Sequence, residues 1–234
     1  EESLTHYAHS AAILAGDLML SGAHQLIASS NLPSEAIAIA QSQLSSGIFE
    51  VAGGELLDTE LSFTPYRKGG ALKVATYKTA SYSFISPLLT GAKLAGVDDD
   101  QQVVLREYAT TLGTAYQLAD DLLGVFGNQQ QTGKSTTSDI TEGKRTYLVE
   151  TALESFSSAD DAAFMRAFGN PNATALEIDS AKRLLESSGA RQKTQQKISQ
   201  YVDRSLASLD RLGLSTEYHQ QFSDLVNKVT NRAF

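Results

Sequence analysis

Apolar residues recur three and four positions apart along almost the whole chain, the spacing that lines one face of an α-helix. Nowhere do they alternate singly, as they would along a half-buried strand. The pattern predicts an all-α chain with helices over about 5–29, 33–61, 68–95, 98–126, 144–156, 158–168, 173–188, 190–212 and 216–231. Pro33 opens the second of these, where its missing N–H is harmless. Pro87 lies inside the third and predicts a kink or division between Ser83 and Leu88. TPYRKGG at 64–70 and GNQQQTGKSTTSDITEGK at 127–144 read as loops, the second long enough to carry function. No repeat or linker interrupts the pattern, so residues 1–234 read as a single helical domain.

The helix predicted over 98–126 breaks its own rule, because Asp120 and Asp121 stand in the middle of LGTAYQLADDLLGVF. At about 100° per residue, Thr110, Gly113, Gln117, Asp120, Asp121 and Gly124 share one arc roughly 100° wide. Leucines, alanines, Val125 and Phe126 fill the rest. An apolar helix does not bury carboxylates unless something cationic meets them, so the arc predicts the wall of a polar cavity. Its two glycines would remove side-chain bulk where the carboxylates point. Two hard anions on one face suit Mg²⁺, which takes one or two carboxylates, keeps several waters and completes its shell with phosphate oxygens. Lys134 and Lys144 of the following loop, which also holds Asp139 and Arg145, would then neutralise the remaining phosphate charge.

Other polar positions read less sharply. Lys78 emerges from a mainly apolar helical stripe with Thr79 beside it, which either snorkelling to solvent or an anion site explains. Glu55 and Asp58 share a face with Gly47, Val51 and Gly54, and both close helix packing and cavity lining account for them. Asp17 reads as a hydrogen-bonded carboxylate supporting a cavity wall, and Asp98–Asp100 as a helix N-cap facing the positive end of the dipole. His6, His9 and His24 have no accompanying acidic or cysteine set for zinc.

Composition narrows the setting. With 234 residues, 41% of them hydrophobic, the chain can bury a sizeable core. No run reads as long and apolar enough to span a bilayer, so no membrane span is expected. The absence of cysteine excludes disulfides and thiolate sites and fits a reducing, cytoplasmic location. A net charge of -8 argues against general nucleic-acid binding, and makes any local cluster of lysines an exception to the overall field.

The ordered set Tyr116, Gln117, Asp120, Asp121, Gly133, Lys134, Asp139 and Lys144 resembles the second aspartate-rich motif of the trans-isoprenyl diphosphate synthases, the polyprenyl synthetase family. Upstream, Lys78 and Thr79 resemble the family's KT motif, Gly16 and Asp17 its GD helix, and EVAGGELLD ending at Asp58 its GQxxD segment. Two positions depart from the pattern: Gly124 replaces a third aspartate, and Glu55 stands where Gln is usual. A first aspartate-rich motif with paired arginines does not occur in these residues. The resemblance therefore implies that the chain opens partway through the family's fold, with that motif on a segment ahead of it.

What the resemblance implies is a large helical bundle of the isoprenoid synthase type around a deep central cavity. Its activity would be condensation of isopentenyl diphosphate with an allylic prenyl diphosphate, giving a longer all-trans product such as geranylgeranyl diphosphate. Carried over residue by residue, Asp120, Asp121 and Asp139 would serve Mg²⁺, while Lys78, Thr79, Gln117, Lys134 and Lys144 would bind substrate. Lys78, Asp120 and Lys134 would be the catalytic residues. A cytoplasmic homodimer is expected. A non-catalytic partner subunit of the same fold is the alternative, ahead of a terpene cyclase, whose NDxxSxxxE pattern is missing here.

Overall fold

The computed structural model describes residues 2–64, 69–128 and 135–230, and every regular element among them is helical. Two long helices, α1 (Glu2–Ala28) and α2 (Ser34–Phe63), precede a helical run made of α3 (Gly70–Val74), a π-helical segment (Ala75–Ile85) and α4 (Ser86–Leu94). Then come α5 (Asp99–Phe126), a single turn α6 (Ser138–Thr141), α7 (Tyr147–Leu153), α8 (Ser158–Phe164), α9 (Ala175–Ser187), α10 (Ala190–Asp210) and α11 (Thr216–Thr230).

Capping residues set most boundaries. Asp98 caps α5, its carboxylate accepting from the Gln101 N–H at 2.8 Å, as read from the acidic triplet. Thr146 accepts from the Val149 N–H, so α7 begins at Tyr147 rather than the expected 144. Reciprocal capping boxes, Ser157 with Asp160 and Thr174 with Glu177, start α8 and α9. The division expected between Ser83 and Leu88 falls at Ile85–Ser86, where the π-helical segment gives way to α4 with the helical run continuous across it. The Ser86 N–H reaches back five residues to the Ser81 carbonyl, and Pro87 falls in the first turn of α4, where it has no N–H to lose.

α5 is the central element, packed along α10 on one side and the π-helical segment on another. Its apolar arc feeds two clusters: Leu118 and Leu122 meet Ile140, Leu148, Phe164 and Leu185, while Tyr108 and Leu112 meet Ile85, Leu89, Leu209 and Val226. Each such buried leucine contributes about 1.5–3 kcal/mol through removal from water. The Tyr108 hydroxyl donates to the Phe222 carbonyl at 3.0 Å, so the ring is buried without stranding its polar end.

Two expectations for the N-terminal helices need correction. Asp17 is exposed rather than buried in a cavity wall, because α1 packs on α2 alone among its substantial neighbours. The expectation of no membrane span also fails as a statement about composition: Ser3–Ala28 is by length and apolarity a helix that could cross a bilayer, with mean hydropathy 1.3. Asp17, His24 and Gln25 are too few among its alanines, leucines and isoleucines to lower the average. His24 ties α1 to α2, its ring against the Gln41 side-chain oxygen at 2.6 Å and its carbonyl accepting from the Gln41 amide at 2.8 Å.

Candidate active site

Two glycines set the position of Lys78 and Thr79. At Gly54 a Cβ would collide with the Tyr77–Lys78 backbone, and at Gly113 it would come within 2.5 Å of the Ala80 Cβ. The π-helical segment is therefore clasped between α2 and α5, closer than side chains would allow. At Glu55 and Asp58 both readings hold: Gly54 packs against the π-helical segment, both carboxylates pair with Lys78, and Asp58 also lines the cavity. Lys78 Nζ lies 2.7 Å from Asp58 and 3.0 Å from Glu55. Burial works against its charge, but these two carboxylates outweigh it and raise its pKa. Gly113 thus serves helix contact, and does not clear space in front of the carboxylates as its place in the polar arc suggested.

From Thr79 a hydrogen-bond relay crosses to α5. The buried Thr79 hydroxyl donates to Gln117 Oε1 at 2.5 Å, and Gln117 Nε2 donates to Asp121 Oδ1 at 2.7 Å. The relay fixes which way the Gln117 amide faces and orients Asp121. Burial pushes the Asp121 carboxyl up to about 7; the Gln117 bond opposes this, while Asp139 and Asp120 add to it.

Asp139 arrives from α6, a turn absent from the predicted elements. Its carboxylate occupies the space beside Gly124, where a Cβ would overlap it. The glycine that departs from the DDxxD pattern therefore makes room for a carboxylate supplied fifteen positions later in the chain, as the residue numbers show. Lys144 Nζ pairs with Asp139 at 2.7 Å and Glu142 at 3.2 Å. Burial lowers the Lys144 pKa, but these partners reverse the effect and carry it to about 12.

These groups line one half-open cavity of about 210 Å³. Lys78, Thr79, Gln117, Asp120, Asp121, Asp139 and Lys144 all reach it, together with Asp58, Arg145, Thr146 and an apolar wall of Ala71, Val74 and Ala75. Lys134 lies outside the described residues. Asp58 and Arg145 join the expected set. Glu150 supports it: this buried α7 carboxylate accepts from the Ala71 N–H at 2.9 Å and the Gly69 N–H at 3.2 Å, capping α3 across the fold. Nothing in the local sequence announces a cap supplied from about eighty residues away, a separation the Glu150–Ala71 bond spans.

The donor set suits a hard divalent cation. Among the described residues no three His, Asp or Glu side chains close into a ready-made cage. Mg²⁺ needs none, since one or two carboxylates suffice when phosphate and water complete its shell. Burial first, and then the neighbouring Asp139 and Asp120, disfavour the Asp121 carboxylate charge, an imbalance that a cation relieves.

The sequence matches the Polyprenyl synthetase family over residues 3–185. The geranylgeranyl diphosphate synthase of Sulfolobus acidocaldarius is 33% identical over 178 residues, covering 75% of this chain and 54% of that protein. A (2E,6E)-farnesyl diphosphate synthase of Mycobacterium tuberculosis is 30% identical over 225 residues, 94% of this chain and 62% of that protein. The chain thus spans 54% and 62% of the length of these two relatives. Among solved structures, the Corynebacterium glutamicum geranylgeranyl pyrophosphate synthase, in complex with isoprenyl diphosphate and magnesium, superposes with TM-score 0.91 at 35% identity, covering 97% of this chain and 65% of that one. The Caulobacter crescentus polyprenyl synthase, complexed with calcium and isoprenyl diphosphate, gives TM-score 0.82 at 28% identity, covering 96% and 67%.

Proposed function

The chain belongs to the polyprenyl synthetase family, and from that premise we propose that its cavity is the diphosphate-binding half of a prenyltransferase site that extends an allylic diphosphate with isopentenyl diphosphate. The observation that carries this reading is the convergence of Lys78, Thr79, Gln117, Asp120, Asp121, Asp139 and Lys144 from three separate segments on one cavity. The same carboxylates and lysines suit phosphate ligands in general, and the family assignment selects a prenyl diphosphate among them.

Asp120 and Asp121 would hold Mg²⁺, with Asp139 beside them. When bound, the cation supplies positive charge to the diphosphate as it departs. The ammonium groups of Lys78 and Lys144, kept protonated by their carboxylate partners, add fixed charge along the same wall. Lys134 completes the set in this reading. Gln117 holds Asp121 in place with its amide N–H and is itself held by Thr79. Ala71, Val74 and Ala75 exclude water from the carbon end of the substrate, where an allylic cation must survive until the isopentenyl double bond attacks and a proton leaves.

We also place the protein as a cytoplasmic homodimer. The dimer reading is supported by the apolar side chains that α1 and α2 expose, among them Leu4, Leu18, Met19 and Phe49. The cytoplasmic reading is supported by the lack of cysteine. The deciding assay supplies the protein, with every residue its gene encodes, with Mg²⁺, labelled isopentenyl diphosphate and allylic primers of several lengths. Label in longer prenyl diphosphates is the expected result, and no incorporation with any primer would overturn the reading.

A further inference from the structure

Every lysine described in the cavity is already committed. Lys78 is held by Asp58 and Glu55, and Lys144 by Asp139 and Glu142. An incoming diphosphate must compete with a carboxylate for either ammonium. Arg145 differs. It lines the same cavity, is half-buried, and has no hydrogen-bond or ion-pair partner among the described residues. It also lines an adjoining, more open cavity of about 440 Å³ with Leu153, Phe156, Asp161 and Met165, so its head has room to turn toward either space.

Its place on the chain is fixed by what surrounds it. On one side the Lys144 N–H donates to the Asp139 carbonyl at 3.0 Å. On the other the Thr146 N–H donates to the Lys144 carbonyl at 2.9 Å, and Thr146 caps α7. The backbone is thus pinned on both sides of a side chain that is itself unengaged. A guanidinium presents its donors in a planar fork that matches phosphate oxygens two at a time, which an ammonium cannot do.

We propose that Arg145 is a further diphosphate-binding residue, the one described cation of the cavity able to grip an incoming phosphate without surrendering an ion pair. The assignment rests on the diphosphate reading of the site. Arg145, which lines both cavities, meets the diphosphate, and Lys78 and Lys144 add their charge along the wall of the first. In this arrangement the guanidinium governs substrate capture, so its loss acts on binding far more than on the chemical step.

The test is calorimetric titration of inorganic pyrophosphate with Mg²⁺ into the wild-type protein, Arg145→Gln and Arg145→Lys, with thermal melts of all three. We expect Arg145→Gln to weaken pyrophosphate binding about 10- to 100-fold and Arg145→Lys to fall between, with melting temperatures unchanged. In turnover, KM for the allylic diphosphate should rise by a similar factor while kcat changes less than about threefold. Equal pyrophosphate affinity in wild type and Arg145→Gln overturns the assignment of Arg145 and leaves the site reading standing. A fall in melting temperature matching the loss of affinity overturns it in favour of a structural role. Absence of pyrophosphate binding by the wild type overturns both.

Discussion

α1 and α5 are nearly the same length, 27 and 28 residues, and each carries aspartate inside an apolar sequence. α1 is the more apolar of the two, yet none of its described side chains is buried, and Leu18 is 73% exposed. α5 buries Leu112, Leu118 and Leu122 completely. Asp17 on α1 faces solvent, while Asp120 and Asp121 on α5 face a cavity shared with two lysines. Apolarity in the sequence therefore records that a helix seeks partners, and only the packing decides which partners it has. An aspartate acquires chemistry when neighbouring helices close a cavity around it.

The largest effect expected from this contrast is on stability. Leu118→Ala should lower unfolding free energy by about 2–5 kcal/mol, whereas Leu18→Ala should change that of the monomer by less than about 0.5 kcal/mol, its cost falling on dimer association instead. Urea denaturation of both variants makes the comparison. Equal losses would mean that α1 is packed as deeply as α5 in solution.

Next comes the contrast between the aspartates. Asp120→Ala should reduce prenyl-transfer turnover at least about a hundredfold, equivalent to ~2.7 kcal/mol in the barrier, with Asp17→Ala near wild type. Steady-state rates with an allylic primer check both, and near-normal turnover in Asp120→Ala would remove its assigned role.

A smaller loss should follow at Glu150. Glu150→Ala leaves the Gly69 and Ala71 N–H groups without their acceptor and should destabilise the fold by about 1–3 kcal/mol. Hydrogen exchange at those two amides, faster in the variant, identifies the cause.

The last effect is a pH dependence. The folded Asp121 carboxyl has its pKa raised from 3.8 to about 7, so between those values the metal-free folded protein keeps a proton the unfolded chain releases. Its stabilising contribution is complete below the lower value and is lost as pH rises toward the upper one. Asp121→Asn should flatten that fall and stabilise the metal-free protein near neutral pH. Melting curves in chelator across this range test the sign.

Much of this was legible in the sequence because it is written locally. Helical periodicity located nearly every element, and the polar arc of α5 pointed to the cavity through Gln117, Asp120 and Asp121. What escaped depends on distant residues or on single backbone groups. The π-helical widening before Pro87 turns on the Ser86 N–H reaching Ser81. The Glu150 cap joins residues seventy-nine positions apart in sequence, and Asp139 fills the space beside Gly124 only once α6 has formed. Two signals were available and unused: the Thr174/Glu177 capping-box spacing, and Arg145 directly after Lys144.

The central claim is that the polar face of α5 holds a metal together with a diphosphate. Calorimetric titration of an isoprenyl diphosphate into wild type and Asp120→Ala, each with and without Mg²⁺, tests it most directly. The account predicts tight binding only for the wild type with Mg²⁺, weakened at least about tenfold by chelation or by the substitution. Binding of equal strength in all four titrations would contradict it.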